Sequence, residues 1–121
     1  MNIAVITDTY FPDINGVTSS IYTLSESLRE FGHNVYIFTV SEPHQMLSRL
    51  KKDPTIYRFP SIPIFFIKPH RAAAPFSTKL IRLMRKLKID IIHTQTEFFM
   101  GFVGMNAGHY LRLPIIHTYH T

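Results

Sequence analysis

A chain of 121 residues with 45% hydrophobic side chains has the size and composition of one globular domain able to bury its own core, and it contains no low-complexity tract. The absence of cysteine excludes a disulfide framework and a thiolate metal site, and it fits a reducing compartment. The formal net charge of +5 is unevenly spread: eleven of the thirteen cations lie between Arg49 and Lys88 against one acid, Asp53, so one strongly basic face is expected, facing an anionic membrane, nucleic acid or a phosphorylated ligand.

Met1-Asn2-Ile3 opens without the basic and apolar regions of a secretory leader, and no apolar run reaches the roughly 18 residues of a membrane span. Ile3-Ala4-Val5-Ile6 is a continuous apolar run suited to a strand buried on both faces of a parallel sheet. After a polar stretch, Val17, Ile21, Leu24, Leu28 and Phe31 recur at helical spacing, and Gly32 supplies a C-terminal stop. Thr7 to Val17 therefore joins a buried strand to a helix, at the sheet edge where open α/β folds bind ligands. Gly16 either lets a phosphate approach the first N–H groups of that helix or allows a turn with positive φ. Asp8 and Asp13 either accept hydrogen bonds from ligand hydroxyls or cap a turn and the helix.

A second strand is predicted over Val35 to Val40, an irregular segment over Ser41 to Pro54, and a third strand over Thr55 to Phe59. Pro60, Pro63, Pro69 and Pro75 then interrupt an apolar stretch, Ile62 to Ile67, which turns basic at Lys68 and Arg71. Such a run cannot be a spanning helix; it is either a loop under the domain or an apolar ridge that touches something outside. From Phe76 to Lys88, Phe76, Leu80, Leu83, Met84 and Leu87 form one helical stripe, with Lys79, Arg82, Arg85 and Lys86 on the opposite arc. A core-packed helix with a solvated face explains the stripe, but helices lying on anionic membranes also carry cations without acids on the polar side. Each such cation near the surface contributes about 1 kcal/mol, so half of the basic set would supply of order 5 kcal/mol.

A fourth strand over Ile89 to Thr94 leads through Gln95-Thr96 into a helix from Glu97 to Leu111. Gly101, Gly104 and Gly108 within that helix each cost about 1 kcal/mol relative to alanine, and close packing on the sheet is expected to compensate. The fifth strand is Pro114 to Thr118. Alternating strands and helices specify a doubly wound parallel α/β sheet. His93, His117 and His120 fall at or beyond strand ends on the same edge as the Asp8–Gly16 loop, whereas His33, His44, His70 and His109 read as surface residues. His117 and His120 point apart at this spacing, so no zinc pair is expected. Glu97 complements a helix dipole or accepts from a substrate hydroxyl. The dinucleotide fingerprint, P-loop, H-E-x-x-H and G-x-S-x-G signatures are all missing.

Four segments carry a resemblance: Asp8-Thr9-Tyr10-Phe11-Pro12 with Asn15-Gly16-Val17, then Leu28 to Val35, then Asp90 to Phe98, and finally Pro114 to Thr121. Together, over the whole chain, they resemble the amino-terminal domain of glycosyltransferase family 4, enzymes of the two-domain, Rossmann-like GT-B fold. His93 to Phe98 with His117 to Thr121 is similar to the branch of bacterial 1,2-diacylglycerol 3-glucosyltransferases. The resemblance implies retaining transfer of glucose from UDP-glucose to diacylglycerol at the cytoplasmic membrane face, with no further cofactor and no metal. It implies that Gly16 approaches the donor phosphates, that Asp13 lies beside the acceptor, and that His120 is the catalytic-site histidine near the reacting sugar. Val17, His93, Glu97 and Thr121 are implied as further substrate contacts. Phe65, Phe66, Lys68, Arg71, Lys79, Arg82, Arg85 and Lys86 are implied as the membrane contact with anionic lipids.

By the same resemblance, a second Rossmann-like domain holding most of the nucleotide pocket would follow this chain, and residues 1–121 alone are expected to be inactive. The alternatives are another acceptor, such as a phosphoinositide or a soluble sugar, and a non-enzymatic basic module for nucleic acid. The last would need aromatics interleaved with cations on one surface, whereas Phe65 and Phe66 sit among prolines and isoleucines, so no nucleic acid is expected.

Overall fold

The fold comes from a computed structural model of the chain, which describes residues 1–10, 15–40, 54–59, 78–96 and 99–120. Five strands form one all-parallel sheet: β1 (Asn2–Ile6), β2 (Asn34–Val40), β3 (Ile56–Phe59), β4 (Ile91–Thr94) and β5 (Ile115–His117), in the spatial order β3-β2-β1-β4-β5. Among the described residues three helices lie between them: α1 (Gly16–Glu30), α2 (Thr78–Lys86) and α3 (Phe99–Leu111). The chain thus winds outward from β1 to β3, crosses back, and continues outward through β4 and β5. Right-handed crossovers running in opposite directions must place their helices on opposite faces.

The side-chain alternation of β1 shows this division. Ile3 and Val5 pack with Val35, Ile37 and, from α1, Ile21, while Ala4 and Ile6 pack with Phe38, Ile92, Leu80 and Met84 of α2 and Met100, Val103 and Ala107 of α3. Both faces of β1 are dry, as its unbroken apolar run requires. It pairs with β2 on one side and with β4 on the other, in registers that set Val5 beside Ile37 and His93.

The helical stripes are those expected, with two shifts. Phe31 is 82% exposed, because it is the C-cap of α1 and the chain has already left the helix there. Ile81 joins Leu80 and Met84 in the core of α2, while Lys79, Arg82, Arg85 and Lys86 are all exposed. Phe76 lies outside the described residues. Two of these cations rest over aromatic rings: Lys79 Nζ is 5.7 Å from the centroid of Phe59, and Arg85 Cζ is 5.3 Å from that of Tyr110.

Each helix ends in the same paired backbone bonds. Gly32 N–H donates to Arg29 and His33 N–H to Leu28 after α1, with Gly32 at φ 91°. Lys88 (φ 55°) and Arg112 (φ 56°) take that left-handed position after α2 and α3. A cation there compensates part of the strain, because it sits at the negative end of the helix dipole.

The glycines of α3 are explained by close approach. A Cβ at Gly104 would lie 2.8 Å from Ile6 Cδ1 and 3.0 Å from Thr94 Cγ2, and one at Gly108 would lie 2.6 Å from Ile115 Cγ1. At Gly101 it would collide with the Thr96 carbonyl oxygen. Gly104→Ala gains about 1 kcal/mol of helix propensity but overpacks a buried contact, which costs about 1 to 3 kcal/mol. Urea unfolding of that variant should therefore show no stabilisation and most of the overpacking penalty; a raised midpoint would mean that α3 does not sit this close to β1 and β4.

Candidate active site at the carboxyl edge

The reversal of winding direction lies between β1 and β4, so the loops leaving these two strands diverge and open a crevice at their carboxyl ends. One carboxylate ties the exits of β1 and β4 to the start of α3. Asp8 Oδ2 accepts from Thr96 Oγ1 at 2.5 Å, its Oδ1 accepts from the Met100 N–H at 2.7 Å, and its own N–H donates to Thr96 Oγ1 at 2.8 Å. Asp8 is therefore a capping residue, as its bland reading held, but it caps α3 across the crevice instead of the helix that follows it in sequence. Its charge also lies at the positive end of that helix. Tyr10, 4% exposed, pins the same loop into the α1-side core.

Asn15 performs the cap of α1. Its backbone is extended, its Oδ1 accepts from the Thr18 N–H at 2.9 Å, and its Nδ2 donates to Thr9 Oγ1 at 3.0 Å. Gly16 is the exposed first residue of α1; it has no positive φ, and a Cβ there would meet nothing within 4 Å. Neither backbone strain nor packing calls for glycine at this position. The turn explanation is thus overturned, and a side chain at residue 16 would project into open space. Val17 itself is half-buried against the α1-side core.

The histidines converge through a residue that sequence reasoning passed over. His93 Nε2 lies 2.6 Å from Thr118 Oγ1 and 3.0 Å from Gln95 Nε2, and Gln95 Oε1 lies 2.7 Å from His120 Nε2. Gln95 is only 2% exposed, while His120 is half-buried. A buried amide immediately after a strand, flanked by histidines two before it and at the next strand end, was the available signal. His117 instead contacts Thr94 Oγ1 at 2.7 Å through Nδ1, so His117 and His120 have separate partners. Burial, and then the neighbouring His117 and His120, hold the His93 imidazole below its usual 6.5 and keep it neutral at pH 7. Beside this network a hollow of about 310 Å³ is lined by Thr96, Gly101, Phe102, Met105 and His117. Among the described residues no group of three or more His, Asp or Glu side chains could hold a metal ion. Asp13, Glu97, Thr121, Phe65, Phe66, Lys68 and Arg71 lie outside the described residues.

The family model for glycosyltransferase family 4 matches residues 14–121. The chain belongs to that family. Its five-stranded parallel sheet with helices is a Rossmann-like arrangement, consistent with a GT-B amino-terminal domain. Over its 121 residues the chain is 43% identical to the alpha-monoglucosyldiacylglycerol synthase of Streptococcus pneumoniae and 37% identical to that of Acholeplasma laidlawii, covering 27% and 30% of those proteins. It is 25% identical to a GDP-mannose-dependent alpha-mannosyltransferase of Mycolicibacterium smegmatis, covering 32% of it. The chain thus spans less than a third of the length of these curated relatives.

Two consequences can be measured. Asp8→Ala removes two charge-assisted hydrogen bonds and the α3 cap, and should lower unfolding stability by about 2 to 3 kcal/mol in urea titrations. Because folded His93 binds its proton less readily than the unfolded chain does, its contribution is complete above pH 6.5 and is lost as pH falls from there toward the lowered folded value. The urea midpoint of the wild type should accordingly drop more steeply below pH 6.5 than that of His93→Gln; equal slopes would place the titrating group elsewhere.

Proposed function

We propose that this chain is the acceptor-side, amino-terminal part of a hexosyltransferase that moves glucose from UDP-glucose to diacylglycerol with retention at the anomeric carbon. The observation that carries this reading is the alignment of the whole chain, at 43% and 37% identity, with two proteins named alpha-monoglucosyldiacylglycerol synthase, against 25% for a mannosyltransferase. That gradient favours a glycerolipid acceptor over the alternatives of a phosphoinositide or a soluble sugar.

In this reading the donor phosphates approach the N–H groups of Gly16 and Val17, where the absence of a side chain at residue 16 and the dipole of α1 both favour an anion. Asp13 and Glu97 accept from hydroxyls of the acceptor and the sugar. His120, steadied by Gln95, lies beside the transferred sugar, with His93 and Thr121 completing that side of the site. Most of the nucleotide pocket belongs to a second domain following this chain, so the isolated chain does not turn over. In this reading no cofactor other than the donor substrate takes part and no metal is involved.

Diacylglycerol resides in a bilayer, and no described helix is long and apolar enough to cross one. In this reading the enzyme docks peripherally, at the cytoplasmic face, through Lys79, Arg82, Arg85 and Lys86 on α2 together with Phe65, Phe66, Lys68 and Arg71. The exposed cations of α2, with no acid on the helix, support this.

The test is a transfer assay in mixed micelles of diacylglycerol with UDP-glucose, using the longer protein that contains this chain. Glucosyldiacylglycerol formed by it, increased by anionic lipid and absent with residues 1–121 alone, is the expected result; product only from soluble acceptors would overturn the lipid assignment. Neutralising all four α2 cations to Gln should weaken binding to anionic vesicles by about a thousandfold, at about 1 kcal/mol each, and leave binding to neutral vesicles unchanged.

A further inference from the structure

The two histidines at the carboxyl edge are joined by a side chain with two unlike ends. The Gln95 amide nitrogen faces His93 Nε2 at 3.0 Å and its oxygen faces His120 Nε2 at 2.7 Å, in a position only 2% exposed. A primary amide donates from nitrogen and accepts at oxygen, and a neutral imidazole carries its proton on one nitrogen only. The ring that meets the NH₂ group must therefore offer a lone pair there, and the ring that meets the oxygen must offer a proton.

We propose that Gln95 is a positioning residue that sets the two imidazoles in opposite tautomers: His93 protonated on Nδ1 and accepting at Nε2, His120 protonated on Nε2 with Nδ1 left to a ligand. Thr118 Oγ1, 2.6 Å from the same His93 nitrogen, does not decide the matter, because a hydroxyl rotates to donate or accept. Nor, among the described residues, do the other ionisable groups at this edge. His117 is engaged with Thr94 of the neighbouring strand β4, and the Asp8 carboxylate is held by Thr96 and the Met100 N–H.

The arrangement has a chemical use. A His120 that donates through Nε2 keeps its bond to Gln95 whether the ring is neutral or charged, so Nδ1 can change from acceptor to donor while the ring stays in place. If His120 lies beside the transferred sugar, as proposed above for the longer enzyme, that atom meets a sugar hydroxyl without loss of orientation at any proton state. The tautomer assignment itself needs neither donor nor acceptor.

It is tested on residues 1–121 alone by long-range proton–nitrogen NMR of the ¹⁵N-labelled histidines above pH 7, where the protonated ring nitrogen of each is read directly. The expected pattern is His93 on Nδ1 and His120 on Nε2; the reverse pair, or both rings on Nε2, overturns the proposal. Gln95→Leu, of similar size, should reduce the Nδ1–H preference of His93 by about fivefold, the loss of one net hydrogen bond, and an unchanged ratio would exclude Gln95 as its cause. Should that variant not fold, Gln95→Glu keeps the shape and puts a carboxylate between the rings, raising the titration midpoints of both by about one to three pH units. Midpoints that stay in place would show that residue 95 does not lie between them. Absence of glucosyl transfer by the longer protein would refute the function without touching this result.

Discussion

The site depends on a charge placed where backbone groups would otherwise go unpaired. Asp8 leaves β1 at the centre of the sheet and spends its carboxylate on Thr96 and on the Met100 N–H. The exits of β1 and β4 and the start of α3 are thereby joined at one point. Helix starts carry orphan donors, and a carboxylate satisfies one while lying at the favourable end of the dipole. With that junction in place, Gln95, adjacent to Thr96, is fixed in a buried position from which it reaches both His93 and His120.

Close approach of α3 to the sheet serves the same end. The glycines at 101, 104 and 108 bring the helix axis down onto Ile6, Thr94 and Ile115. A helix held further out would lift the Met100 N–H from Asp8 and loosen the corner that positions the histidines. The intrinsic cost of three glycines in one helix is thus offset by packing that the site requires. Beside α3 on the same face of the sheet, α2 needs no such approach and presents a conventional apolar stripe, so its outer face is free to be wholly basic. The polar chemistry and the basic surface are carried by different helices packed on the same face of the sheet.

Much of this could be read from residues in order, because the signals are local. The continuous apolar run of β1, the stripe of α1, the stop at Gly32 and the basic arc of α2 each depend on side chains within one or two turns of one another, and each stands where the periodicity places it. The close packing of the α3 glycines also follows from sequence, since glycine inside a helix needs a reason. The departures are equally local in cause. Phe31 continues the spacing of α1 but not its backbone, and Ile81 widens the stripe of α2 because the helix meets both the sheet and α3.

Sequence by itself determined the fold class and the uneven charge, which rest on pattern and composition, and the family, which rests on the resemblance of its motifs. Only the tertiary structure decided which polar residue serves which neighbour. Asp8 caps α3, 92 residues away from its bonded partner Met100, while Asn15 caps the adjacent helix, and no spacing rule could distribute those roles. Gly16 proved free of strain and contact, which only its surroundings could reveal. Gln95 became the link between His93 and His120 because parallel pairing of β4 with β5 sets their ends side by side. Hydrogen bonds between strand ends depend on register and crossover direction, and those are settled by the packing of the whole sheet.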